Sequence, residues 1–286
     1  MLRLYDLPTW LLAIVIIGPI VGLSNGAMLL TRRWVRAHCA DSREVVSYFF
    51  TGVGTIYAVL LAMIAVAAWE NYSQMDELVT QEASEALNVY RDMQGLPRPF
   101  RDRVRGLLAE YVRVVIEEEW PEMRQGRRTR ASDRVIDGIL TEIVTYRPTE
   151  PGESVMYQES FQTMNRVLGL RRKRLMAVEL GLLPELWMVV LVGGFLNIGL
   201  SLLIATKDIR LDLILTTAFS LMIGIMVFLI FALDHPFWGE VSVKPEAFEF
   251  AKTVMSRVAA KDPAPSPAAA GPLPRADMPT STASPR

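Results

Sequence analysis

The chain has 286 residues, a net charge of −1 and a mean hydropathy of +0.25. So balanced a charge lacks the basic excess that marks a nucleic-acid-binding protein, and nucleic acid is set aside as a partner. One cysteine, Cys39, and two histidines, His38 and His235, leave no intramolecular disulfide and no Cys- or His-rich metal site, so no metal or cofactor is implied.

The apolar residues fall into long blocks, and the charges lie almost entirely between them. Leu7 to Thr31, Val45 to Trp69, Leu186 to Thr206 and Leu213 to Leu233 carry no Asp, Glu, Lys or Arg. Each approaches or exceeds the ~20 apolar residues that cross a bilayer. In hydrocarbon every backbone amide needs an internal partner, so these four blocks are expected to be helices. Tryptophans fence them: Trp10 and Trp34 flank the first, Trp69 closes the second, Trp187 opens the third, Trp238 follows the fourth. Indole rings favour the membrane–water boundary. Arg32, Arg33 and Arg36 follow the first block as a stop-transfer pattern, so it reads as a span and not as a cleaved leader.

Gly18, Gly22 and Gly26 share one face of the first span, and Pro19 is expected to kink it. Two readings stand for the glycine strip: packing within one subunit, or a subunit interface or pore-side notch. The absence of charge within the spans argues against a proton-coupled transporter but not against an apolar-lined pore.

Residues 70–183 are too long for a simple loop, and their pattern is helical. The second span is expected to continue through Met75, Val79, Ala83, Ala86, Tyr90 and Met93 until Gly95 and Pro97 end it. Phe100, Val104, Leu107, Leu108, Tyr111, Val114 and Val115 make one apolar stripe, and Val135 to Val144 another, with Ser132 as its N-cap. A last helix from about Val155 toward Gly181 is expected to run into the third span. Around Trp120, Glu117, Glu118, Glu119 and Glu122 read as a solvated helix end or as an ion-concentrating surface. Arg171, Arg172, Lys173 and Arg174 precede the third span closely enough to meet anionic lipid head groups.

The fold class is therefore all-α and integral to the membrane: four transmembrane helices with a helical bundle inserted between the second and third. The expected divisions are 7–69 (first two spans), 70–183 (polar bundle), 184–233 (last two spans), 234–262 (post-membrane segment) and 263–286 (a disordered Pro/Ala/Ser-rich tail). Four spans put both termini on the side of the insert, but the distribution of Lys and Arg is too even to orient the chain. No HExxH, P-loop or GxSxG motif is present, and the chain is not expected to be an enzyme. Asp234 and His235 close the fourth span, as a helix-end cap or as a proton-transfer pair.

Several segments carry a resemblance together. They are GVGTIYAVLLAMIAVAAWENYSQ in the second span, QEASEALNVYR and LPRPFRDRVRGLLAEYVRVVIEEEW after it, and LDHPFWGEVSVKPEAF at the end of the fourth. In this order they resemble the bestrophin-like family of bacterial membrane proteins, over roughly residues 10–255. Trp69, Glu70, Asp234, Pro236, Phe237 and Gly239 carry the family pattern. The resemblance implies a homo-oligomeric channel for small inorganic ions, chiefly anions, in the bacterial inner membrane, with insert and termini cytoplasmic. In bestrophins the second span lines the pore, which points to Ile56, Tyr57, Leu60, Met63 and Ile64 as lining positions. No acidic cluster matches a bestrophin calcium clasp. The other reading is a non-conducting membrane scaffold or sensor that binds a partner through the insert.

Overall fold

The computed structural model describes Tyr5 and residues 7–38, 43–204, 206 and 208–262. Cys39 and the tail expected at 263–286 lie outside the described residues. Those described form helices and connecting turns, with no strand among them. In chain order the helices are α1 (Thr9–His38), α2 (Arg43–Asp92), α3 (Arg98–Val114), α4 (Trp120–Arg124), α5 (Asp133–Thr145), α6 (Pro151–Ala177), α7 (Pro184–Leu202), α8 (Ile209–Asp234) and α9 (Glu246–Lys261).

Four of these are long and apolar enough to cross a membrane: α1, α2, α7 and α8. Only 17% to 33% of each apolar window is buried inside the chain. Trp10, Leu30, Ile56, Met63, Phe195 and Ile214 are all exposed. Apolar surface on this scale needs a non-aqueous neighbour, which a bilayer supplies.

Helix α2 joins the two halves of the molecule. Its 50 residues make a rod of about 75 Å, far longer than the ~30 Å hydrocarbon layer. Its first half packs with α7 and α8, while α8 also runs along α1. The core there is Tyr57, Leu61, Ile64, Val190, Ile223, Val227 and Ile230. The second half packs against α6 and α9, and α3 against α5. That second core is larger and more closed: Val104, Leu108, Tyr111, Val112, Val115, Met123, Ile139 and Val167 are among its fully buried members. The expected stop after Met93 is a single 3-10 turn, Met93–Gly95. Pro97 and Pro99 then start α3, where rings lacking N–H groups cost nothing.

The structure departs from three expectations. Helix α6 does not run into α7: it ends at Ala177, and residues 178–183 make a sharp junction before Pro184. Gly181 permits it, since a Cβ there would sit 2.7 Å from the His235 ring. Ser132 precedes α5 but makes no side-chain cap; its hydroxyl donates instead to Glu119 Oε1 at 2.6 Å. The acidic run is not uniformly solvated. Val115–Glu119 is a π-helical turn, and Glu119 within it is fully buried.

Candidate functional site

The five lining positions proposed on α2 divide by helical phase. Tyr57, Leu61, Ile64 and Ala68 recur at helical spacing and are buried, the first three against α7 and α8. Ile56, Leu60 and Met63 lie on another face and are exposed in the single chain, at 65%, 42% and 66%. Tyr57 and Ile64 are therefore corrected from lining to packing positions, because their side chains fill the contact with α7 and α8.

Tyr57 is seated by glycine. A Cβ at Gly193 would lie 2.5 Å from its ring, and one at Gly194 would lie 3.0 Å from its hydroxyl. The Tyr57 hydroxyl donates to the Val190 carbonyl at 2.9 Å, which satisfies a polar group inside the apolar contact. One turn on, Asn197 is 1% exposed and donates Nδ2 to the Gly193 carbonyl at 2.9 Å. The glycine strip on α1 behaves differently. Cβ atoms built at Gly18, Gly22 and Gly26 meet nothing within 4 Å, so among the described residues the strip packs against no helix of the same chain.

The segment after α8 forms a polar junction. Asp234 is buried; Oδ1 accepts the Leu182 amide at 2.6 Å and Oδ2 accepts the Trp187 indole N–H at 3.2 Å. It thus ties the end of α8 to the turn that starts α7. His235 stacks on Trp238 at 3.8 Å between ring centres, and Trp238 donates to the Val178 carbonyl at 2.8 Å. Phe237 is buried and meets Trp120 edge-on at 6.1 Å. Gly239 has φ +74°, and a Cβ there would lie 2.7 Å from the Tyr5 carbonyl, so both conformation and space require glycine. Pro236 accepts the Val243 amide at 2.8 Å, closing the turn. Trp69 and Glu70 stand apart from this junction, exposed on α2.

Three helices meet at a buried ion network. Arg174 of α6 is fully buried and donates Nε to Glu82 Oε2 at 2.8 Å and Nη2 to Glu119 Oε2 at 2.8 Å. Tyr111 donates its hydroxyl to Glu82 Oε1. The guanidinium also lies over the rings of Trp120 and Phe248, at 5.8 Å and 5.7 Å. Burial opposes ionisation of Glu119, but Arg174, the Ser132 hydroxyl and Arg171 outweigh it and hold the carboxyl below the usual carboxylate range. Burial likewise opposes the charge on Arg174, and the two carboxylates overcome it.

This network corrects the reading of the basic run. Arg174 contacts no head group, because it is enclosed between two carboxylates in the core. Arg171 also turns inward, donating to Ser132 Oγ at 2.9 Å and to Asp133 Oδ1 at 2.6 Å. Only Arg172 and Lys173 of the four are exposed. No motif or charge cluster in the sequence singles out Glu82 or Asn197. Among the described residues no group of three His, Cys, Asp or Glu converges to hold a metal.

A family model described as Bestrophin-like domain matches residues 18–248. Among solved structures, a point variant of a bacterial bestrophin homologue from Klebsiella pneumoniae superposes with a TM-score of 0.65 at 12% identity, covering 87% of this chain and 98% of that one. A second variant of that homologue gives 0.64 at 12%, covering 86% and 97%. A crystal structure described as a membrane protein gives 0.65 at 12%, covering 87% and 97%. At such identity the likeness is one of fold. No curated protein matches the chain.

Proposed function

We propose that this chain, which belongs to the bestrophin-like family, crosses the bacterial inner membrane four times, through α1, α2, α7 and α8. Copies assemble around a shared path for small inorganic ions, chiefly anions. The observation that carries this reading is the phase of α2. Tyr57 and Ile64 are consumed by packing within the chain, while Ile56, Leu60 and Met63 stay exposed on a face free to line a path between copies. A ring of such side chains makes an apolar constriction, which can gate by dewetting. The unpartnered glycine strip of α1 supports contact with lipid or with a second copy. The bundle of α3 to α6 and α9 then stands in the cytoplasm with both termini. Arg172 and Lys173 are the exposed members of the basic run, and lipid head groups are the contact proposed for them.

The test is ion flux through purified protein in liposomes, with chloride and nitrate as probes. Met63→Ala or Ile56→Ala widens the constriction and raises the flux, while the same change at the outward Leu30 leaves it unaltered. Single cysteines at positions 56 or 63, in a Cys39→Ser background, crosslink between copies on oxidation. A folded protein that stays silent to both ions, with no crosslinking at either position, overturns the channel. That result favours the scaffold reading, in which the separate core of the polar bundle serves to bind a partner.

A further inference from the structure

Between α2, α7 and α8, on the membrane-spanning side of the molecule, lies an open groove of about 440 Å³. Its wall on α2 is low because Gly54, Ala58 and Ala62 recur every four residues there. Phe219, Met222 and Met226 of α8 form the facing wall, and Asn197 contributes from α7.

Among the described residues Asn197 is the one polar side chain in this groove whose bonding is incomplete. Its Nδ2 donates to the Gly193 carbonyl, which fixes which end of the amide is the oxygen. Thr51 and Thr55 satisfy themselves by donating to carbonyls of their own helix. Asn197 Oδ1 is buried and accepts from none of the described residues. The residue stands five positions before the end of α7, about 8 Å along the helix, within the apolar window. In that setting an unmet acceptor is expensive, since no bulk water replaces the missing donor. An α7 helix with leucine at this position would pack without that cost.

We propose that this groove is a binding site for lipid-soluble alcohols, with Asn197 Oδ1 accepting the hydroxyl and the groove walls taking the alkyl body. The chemistry is one donor for one acceptor, and an apolar remainder for an almost wholly apolar cleft. Gly54 is part of the site: a Cβ there would lie 3.4 Å from Asn197 Oδ1, in the space the hydroxyl needs. The site does not depend on ion conduction, only on α2, α7 and α8 being packed as described.

The experiment is photolabelling of the full-length protein in liposomes with a diazirine-bearing octanol, and in parallel with the matching diazirine-bearing octane. Adducts are mapped by mass spectrometry. The octanol probe labels residues 51–62 and 219–226, and excess unlabelled octanol suppresses this. The octane probe labels the same segments several-fold more weakly. Asn197→Leu lowers octanol labelling about three- to tenfold, the value of one hydrogen bond, and removes the difference between the probes. Ala58→Phe fills the groove, keeps Asn197 intact, and abolishes labelling by both, so a failure of the leucine variant to fold leaves the site testable. Equal labelling by octanol and octane in the native protein, or octanol labelling confined to other segments, overturns the site. Because no ion flux is read, loss of this proposal and loss of the channel reading are separate outcomes.

Discussion

Replacing Arg174 by methionine tests whether the buried network is a structural lock. Methionine has a similar length and no charge, so the change leaves Glu82 enclosed without its cation and Glu119 with only Arg171 beside it. Removing one partner of a buried ion pair costs about 3–5 kcal/mol, because the other charge stays desolvated. At roughly 2–4 °C per kcal/mol for a chain of this size class, the midpoint of thermal unfolding falls by about 10 °C. Circular dichroism of the purified protein in mild detergent reads this directly. The companion is the variant Glu82→Gln, Glu119→Gln, Arg174→Met, which removes all three charges and recovers most of the loss. The two variants also differ in acid. Without Arg174, burial of Glu119 is opposed only by Ser132 and Arg171 and its carboxyl protonates more readily, so the deficit of the single variant shrinks as pH falls toward the ordinary carboxylate value of 4.5. If Arg174→Met unfolds within about 2 °C of the native protein, or the triple variant is no better than the single one, the network is not what holds α2, α6 and the π turn together.

Further outcomes follow from the same geometry. In the native protein the Glu119 carboxyl is depressed, so its stabilisation is complete above the ordinary value and lost as pH falls through the lower folded value. Fluorescence of Trp120, which packs on Arg174, should therefore shift to the red in acid below pH 4.5 and recover on neutralisation. Gly193→Ala forces a methyl group to within 2.5 Å of the Tyr57 ring and should lower the unfolding midpoint, while Gly199→Ala, which meets open space, should not. Asp234→Ala removes the acceptor for the Leu182 amide and the Trp187 indole, at about 1–3 kcal/mol for the stranded donors. Hydrogen exchange at residues 178–187 should quicken in that variant while exchange in α3 and α5 stays unchanged.

Much of this architecture is legible in the sequence because the bilayer imposes a coarse rule. A charge-free block of twenty residues between tryptophans has few ways to be anything but a spanning helix, and all four blocks are long apolar helices in the structure. The stripes on α3 and α5 are equally plain, since one face is apolar and the other charged. The ion network lay in the same periodicity. Glu119 stands four residues after Val115 and Arg174 seven after Val167, each on the stripe of its own helix, and Glu82 falls beside Val79, Ala83 and Ala86. Opposite charges placed singly on apolar faces of different helices are a signal of burial in pairs. It is masked here because Glu119 and Arg174 each sit in a run of like charges, and such runs usually lie in water.

The phase of a spanning helix is harder to read, and α2 shows why. A soluble helix marks its buried face by contrast with polar residues, but within Val45 to Trp69 there is almost no contrast to use. Ile56 and Tyr57, or Met63 and Ile64, are interchangeable on hydropathy, yet they face different surroundings. What separates them is fit. Gly193 and Gly194 are adjacent on α7 and lie on two faces of it, too close together for a repeating strip, so they make room for a single large neighbour with a polar tip. A tyrosine supplies both the ring and a hydroxyl that must find a carbonyl, and Tyr57 is the one tyrosine in the middle of the α2 span. Once Tyr57 is assigned to that seat, the helical repeat carries Leu61, Ile64 and Ala68 inward with it. The face bearing Ile56, Leu60 and Met63 is then left to the membrane or to another copy, and it is the face on which the proposed ion path depends.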